Sequence, residues 1–416
     1  MKKALLLSVV ASTMIMAGGD IAPVEPVVEA PVAEASGWEF GGQGVLYYQT
    51  TDAWGNGSLF ESDSSKAAAG VQLRAINKDL VGGIGAGVEM SGISDFYLYD
   101  GVVTGLVQNA GNTMDPGDAD TVNSSAAFTQ AYLTYGTGNT SFKLGRQLLP
   151  KALSPFAFSE GWNVFKNSFE ALLVVNSDVQ DTTLVGAYVT RANSSLGNLN
   201  DFTDINDDGV WMLTAANKSI EGVALTGTWY YASEFAASED ANILWADAKF
   251  GVAGLNIGLQ GGVVMCDALA DDGTGFGAKI GGKWDAVSAS LAFSSAGEGF
   301  PIHNLGTGVK TPFYTQMIFN QNSIKQDSDT IVARVGMKAL GGKFGLAYGY
   351  SDMGANAPKA VTGSVAGEGE YAELDLTYKT KVWNDSTTLF AGYVYQDDDR
   401  MSDTQNMIRL WGRYNF

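Results

Sequence analysis

The chain has one histidine, His303, and one cysteine, Cys266. A hydrolase built on either would need a nucleophile and a general base within reach, the base oriented by an acid. His303 lies between Pro301 and the loop glycines Gly306 and Gly308, and no serine near it is flanked by such an acid. Cys266 alone cannot form an intramolecular disulfide and reads as a small residue at a strand end. No glycine-rich phosphate loop and no Cys/His zinc cluster is present. Enzymatic activity is therefore not expected. Asp204-Ile205-Asn206-Asp207-Asp208-Gly209 places oxygen ligands at alternate positions with a glycine for the turn, as a calcium loop does. The glutamate that would complete it is replaced by Ala215. The motif supports a low-affinity structural Ca²⁺ site at Asp204, Asn206 and Asp208, or a plain solvated acidic loop, and no other cofactor is expected.

What the remaining charges can do is electrostatic selection. Arg74, Lys279, Lys283, Arg334, Lys338, Lys343, Arg409 and Arg413 each fall on the polar parity of an alternating segment, and so do the acids Glu89, Glu170, Asp247, Glu373 and Asp375. At the C-terminus Ile408, Leu410, Tyr414 and Phe416 alternate with Met407, Arg409, Trp411 and Arg413. A strand with one greasy and one cationic face needs two environments at once. A membrane-spanning β-barrel supplies them, with lipid outside and water inside. Tyr414 and the terminal Phe416 resemble the C-terminal assembly signal of bacterial outer-membrane proteins, which implies the barrel-assembly machinery as a partner.

Composition agrees. The 416 residues include 52 glycines and only 9 prolines, with 11% aromatics and a mean hydropathy near zero. No segment after the N-terminus approaches the ~18 consecutive apolar residues of a transmembrane helix. The net charge is −20, or −22 without Lys2 and Lys3, which argues against nucleic acid as a partner. Lys2-Lys3, apolar Ala4 to Met16 and small Ala17-Gly18-Gly19 read as an export signal, residues 1–17. Residues 18–37, whose 20–36 stretch is rich in Pro, Val and Glu, read as an extended periplasmic tether.

From Trp38 to Phe416 a period-two pattern recurs about 18 times. The segments begin near Trp38, Ala69, Gly82, Ser125, Asn139, Ser168, Asp181, Asp208, Glu221, Ala241, Gly254, Thr274, Ala286, Asp329, Gly342, Gly369, Asp385 and Thr404. If the two near Asp208 and Glu221 are misread, the count is 16. Short joints such as 136–139, 251–254 and 340–342 alternate with long ones at 51–68, 92–124, 149–167, 192–207, 295–328 and 353–368. Long extracellular loops and short periplasmic turns are the asymmetry of an all-β, antiparallel outer-membrane barrel. No fixed-period repeat suggests a solenoid or propeller.

A barrel this wide holds water unless something narrows it. The best candidate is the loop 149–167, shaped by Pro150, Pro155 and four aromatics, with Arg146, Lys151, Glu160, Lys166 and Glu170 as its charged constriction. Strict alternation would send Arg146 into lipid beside Phe142 and Leu144, so a bulge at Gly145 is expected to return it to the lumen.

Gly145-Arg146-Gln147 resembles the opening of the constriction loop in bacterial general porins. The stretch through Asn167-Ser168-Phe169-Glu170, Asn176-Ser177-Asp178 and Asp181-Thr182-Thr183-Leu184 is similar to the Opr-type outer-membrane porins, which include OprD-like and Campylobacter-type major porins. The resemblance implies a trimeric diffusion channel in the outer membrane of a Gram-negative bacterium, bounded by lipid bilayer and lipopolysaccharide. The expected function is passive passage of ions and small hydrophilic solutes. A weak cation preference is expected from the acidic loops. The alternatives are an adhesin-like surface barrel and a substrate-specific OprD-like channel.

Overall fold

A computed structural model describes residues 37–53, 57–95, 102–103, 105–108, 124–193, 198–206 and 208–416. The export signal, and the tether up to residue 36, lie outside the described residues.

Nineteen strands follow in chain order: β1 (Trp38–Thr51), β2 (Ser65–Val81), β3 (Ile84–Ser94), β4 (Ser124–Thr137), β5 (Thr140–Gln147), β6 (Phe169–Asn176), β7 (Thr182–Asn193), β8 (Phe202–Asp204), β9 (Val210–Asn217), β10 (Val223–Ala236), β11 (Glu239–Val252), β12 (Leu255–Cys266), β13 (Gly273–Trp284), β14 (Val287–Ala296), β15 (Ser328–Ala339), β16 (Gly342–Met353), β17 (Gly369–Val382), β18 (Thr387–Asp398) and β19 (Gln405–Asn415). All but β8 form the wall of an 18-strand antiparallel barrel, closed where β1 pairs with β19. The short β8 is a flap that pairs only with the end of β7. The segments near Asp208 and Glu221 are real strands, so the count of 16 is set aside.

Every joint at one end of the barrel has two to five residues, from 82–83 to 383–386, and both ends of the wall lie there. At 253–254 and 340–341 both turn residues have positive φ (Ala253 52°, Gly254 80°, Leu340 53°, Gly341 73°). That handedness matches the twist of the paired strands and permits a two-residue reversal.

Alternation decides what faces lipid. On β15, Ile331, Val335 and Met337 are exposed while Thr330, Val332 and Arg334 are buried. Leu46, Leu73, Leu133, Leu213, Leu259, Ile280, Leu346 and Leu410 extend the same apolar belt around the wall. With no competing water, every backbone group at that depth must pair within the sheet, and closure leaves no edge unpaired. At the seam the Gly42 amide donates to the Phe416 carbonyl at 2.9 Å, and the Phe416 amide donates back to Gly42 at 3.1 Å. The Phe416 ring crosses Gly42 so closely that a Cβ there would lie 2.9 Å from it.

The expected bulge at Gly145 is absent. Arg146 pairs with Glu170, and Gln147 with Phe169, in unbroken register. Gly145 instead has φ +123° and lies where a Cβ would strike the Ala131 carbonyl. Register shifts fall instead at Thr129 and Thr190, which the neighbouring strands skip, and between Asn77 and Val81 and between Ala232 and Ala236.

Candidate functional site

Among the described residues, two long loops turn inward and pack on the inner face of the wall. The first, 148–168, is rigid for local reasons. The Leu153 and Ser154 amides both donate to the Pro150 carbonyl, and the Ser159 amide donates to Leu149 at 2.8 Å. Its Leu149, Phe156 and Ala157 pack on inward-facing Phe169, Ala171, Val189, Met212, Tyr230 and Trp245. The Phe156 ring meets Trp245 edge-on at 5.4 Å, and its amide donates to the Tyr230 hydroxyl at 3.1 Å. Farther along, Val164 and Phe165 pack on Val45, Ala68 and Ile93 of the opposite wall.

The second loop, 297–327, one of the long joints of the chain, enters the lumen too. Ile302, Phe313 and Ile324 join the same core as the first loop. Met317 packs on Val332 and Ala347, and Ile318 on Val394 and Met407. A signal was available. The inward positions of β6, β7 and β9–β12 include Leu173, Val185, Val189, Met212, Ile243, Trp245 and Val264. Strands apolar on both faces cannot line plain water.

Glu160 joins the two loops. One oxygen accepts from Asn304 Nδ2 at 2.9 Å, from the Lys310 amide at 3.0 Å and from the Thr307 hydroxyl, and the other accepts from Trp162 Nε1 at 3.1 Å. It is 2% exposed, so Glu160 is a buried clasp rather than an open charge at the constriction. Lys151 is also committed, donating to the Thr311 carbonyl at 2.8 Å with its ammonium near the Phe158 ring. Lys166 is half-buried on the returning limb of the loop.

The charged wall holds the loops in place. Arg409 donates to Gln49 Oε1 at 2.7 Å and to the Trp162 carbonyl at 3.2 Å. Its guanidinium lies 5.2–5.6 Å from the rings of Trp162, Phe319 and Tyr47. Arg413 donates to the Asn163 carbonyl at 2.7 Å, and Arg334 to the Gln316 carbonyl at 2.9 Å. On β17, Glu373 accepts from the Phe319 amide at 2.9 Å and from the Tyr371 hydroxyl at 2.5 Å, while Asp375 accepts from the Ile318 amide at 3.3 Å. Both acids are fully buried. Lys310 bonds the carbonyls of Met317 (3.0 Å) and Ile318 (2.7 Å). Burial lowers its pKa to about 8, against the opposing pull of Glu160 and Glu373. Arginines thus donate to loop carbonyls and acids accept from loop amides, the charge-assisted pairings that a desolvated backbone needs.

Arg146 and Glu170 require the largest correction. Phe169 and Ala171 are buried inside, so Glu170 between them faces outward, and Arg146, its partner in register, faces outward with it. Arg146 Nη2 meets Glu170 Oε1 at 2.7 Å, with the guanidinium 3.6 Å from the Phe202 ring of β8. Arg191 approaches Glu170 at 3.8 Å and Asp204 at 3.2 Å. The outward charges neutralise one another beneath the β8 flap, which is how they are tolerated without a bulge.

The proposed calcium ligands do not converge. Asp204 pairs with Arg191, the Asn206 side-chain Oδ1 accepts from the Asp208 amide, and Asp208 accepts from the Ser233 hydroxyl. Among the described residues no three His, Cys, Asp or Glu side chains cluster as metal ligands. His303 stacks on Phe300 with centroids 5.9 Å apart and contacts the Asn304 carbonyl through Nδ1 at 3.2 Å. Burial lowers its pKa to about 4.

In the short-turn half of the lumen, Arg74, Lys283, Lys338, Lys343 and Lys381 occupy inward positions and are exposed. Lys279 and Lys379, half-buried, share that face. Of the acids nearby, Glu39 pairs with Lys78 at 3.1 Å, Asp247 with Lys249 at 2.8 Å and the Tyr314 hydroxyl, and Asp79 with the Gly83 amide at 2.9 Å, while Asp285 and Asp385 are exposed in the short turns themselves.

No family model matches this sequence, and no curated protein matches it. Solved structures do. The barrel resembles OccAB2 of Acinetobacter baumannii (TM-score 0.73, 14% identity, covering 92% of this chain and 99% of that one). It also resembles OccK9 (OpdG) of Pseudomonas aeruginosa (0.71, 14%, 91% and 98%). A third is OpdK of the same organism, solved with vanillate (0.70, 15%, 91% and 98%). At these identities the likeness establishes the fold, which is that of OprD-type outer-membrane channels.

Proposed function

We propose that this protein is an outer-membrane channel for passive passage of small hydrophilic solutes, and that its inner lumen favours anions. One observation carries the reading. The inward acids of β17 are consumed in anchoring the second loop, whereas Arg74, Lys283, Lys338 and Lys343 stay exposed on the inner wall. The acidic extracellular rim still concentrates cations at the outer mouth. Behind the loops the field is basic, and a low-dielectric wall strengthens it. Our reading therefore replaces a weak cation preference with selection for anionic solutes, and organic carboxylates are the class we favour. Vanillate, found with one protein of the same fold, is such a compound.

The test is single-channel recording of refolded protein in a planar bilayer under a KCl gradient. The expected result is discrete conductance steps with a reversal potential of anion-selective sign, moved toward neutral by Lys338→Gln with Lys343→Gln. A cation-selective potential unchanged by those substitutions would make the rim the governing element. Absence of steps from demonstrably folded barrels would defeat the channel reading itself.

A further inference from the structure

The basic residues at the short-turn mouth are arranged against their own stability. Lys338 on β15 is directly opposite Lys343 on β16, and Lys343 is directly opposite Lys379 on β17. Cross-strand neighbours lie about 5 Å apart, and like charges placed so repel. Lys283 and Lys381 face the same mouth. Among the described residues neither Lys338 nor Lys343 makes an ion pair, and both are exposed. An anion placed here would relieve the repulsion.

The chain itself supplies one. Residues 20–36 carry Asp20, Glu25, Glu29 and Glu34 and no basic residue, with prolines at 23, 26 and 31. This segment leads into Gly37 and β1, whose start is at the same end of the barrel as the lysines. Going around the wall from β1, β17 is the third strand and β15 the fifth. At about 4.8 Å per strand that is roughly 15–25 Å. Seventeen residues of chain can reach no farther than about 50–60 Å. Sign, position and reach all agree.

We propose that the acidic segment 20–36 docks in the lysine-lined periplasmic mouth and acts as a tethered counter-charge, lowering the anion selectivity of the channel from inside. The docking would hold whether or not solutes pass, so it can be tested without current.

The experiment is disulfide trapping in folded, full-length barrels with Cys266→Ala. Glu29→Cys is combined with Lys343→Cys, which faces the mouth, or with Leu346→Cys, which faces lipid. Cross-linking is expected with the first partner and not with the second. It should be lost in 1 M KCl, where the Debye length is about 3 Å, and when Asp20, Glu25 and Glu34 are changed to Asn, Gln and Gln. In bilayers, neutralising all four acids should raise anion over cation permeability roughly two- to fivefold. The soluble 20–36 peptide, added on the periplasmic side, should reverse that gain. Equal trapping at both positions, or none at Lys343→Cys in barrels with native heat-modifiable mobility, would overturn the proposal. If trapping fails while Lys338→Gln with Lys343→Gln still moves the reversal potential, the lysines serve a diffusing anion instead.

Discussion

Glu160, on the first inward loop, accepts the amide of Lys310, on the second, at 3.0 Å, although 150 residues separate them. Through this contact two loops from distant strands become one unit inside the barrel. Glu160→Ala should leave the Lys310 and Asn304 donors unpaired, at a cost of roughly 3 kcal/mol. Open-channel noise and protease cleavage within 297–327 should both rise, with Glu160→Gln intermediate. Quiet recordings from Glu160→Ala would mean that apolar packing alone holds the loops.

Arg409 and Arg146 make a matched pair of substitutions. Arg409→Ala removes an anchor of the Trp162 carbonyl and leaves Gln49 without its partner. Its single-channel conductance should increase. Arg146→Ala breaks an outward ion pair that is 21% and 29% exposed at its two side chains. The pair touches neither inward loop, so conductance should be unchanged. A conductance change with Arg146→Ala equal to that with Arg409→Ala would return Arg146 to the pore.

His303 gives a pH dependence that can be observed without interference, since the chain has no other histidine. Its pKa is about 4 in the folded loop against an ordinary 6.5. The released loop therefore binds a proton that the packed loop refuses. Packing is undiminished above pH 6.5 and weakens as pH falls toward 4, by roughly 3 kcal/mol in all. The imidazole NMR signal should titrate with a midpoint below 5. A midpoint near 6.5 would show that His303 is not buried in solution.

At the seam, Gly42→Val would push a branched side chain into the Phe416 ring and the Gln72 carbonyl. Refolding yield and the temperature of barrel dissociation on gels should fall, while Gly44→Val, at a position with open space around it, should be mild. Equal behaviour of the two variants would place the closure elsewhere.

The wall of this protein was legible from residue order alone. The period-two alternation marks each of the 18 strands, because lipid and lumen make opposite demands on successive side chains. Parity likewise placed Lys283, Arg334, Lys338, Glu373 and Arg409 inside, and a strand needs no long-range information to do so. What lay beyond the sequence reading was every fact that depends on which strands and loops meet. Gly145 looked like a bulge because an outward arginine appeared intolerable. Its tolerance depends on Glu170 across the strand and on the Phe202 flap, at sequence separations of 24 and 56 residues. Glu160 reads as an open pore charge because the three partners that tie it to the second loop, Asn304, Thr307 and Lys310, are 144 to 150 residues away. Charges on a barrel wall are assigned a face by local alternation. Whether they then meet water, lipid or another loop is decided only when the closed sheet fixes what fills its interior.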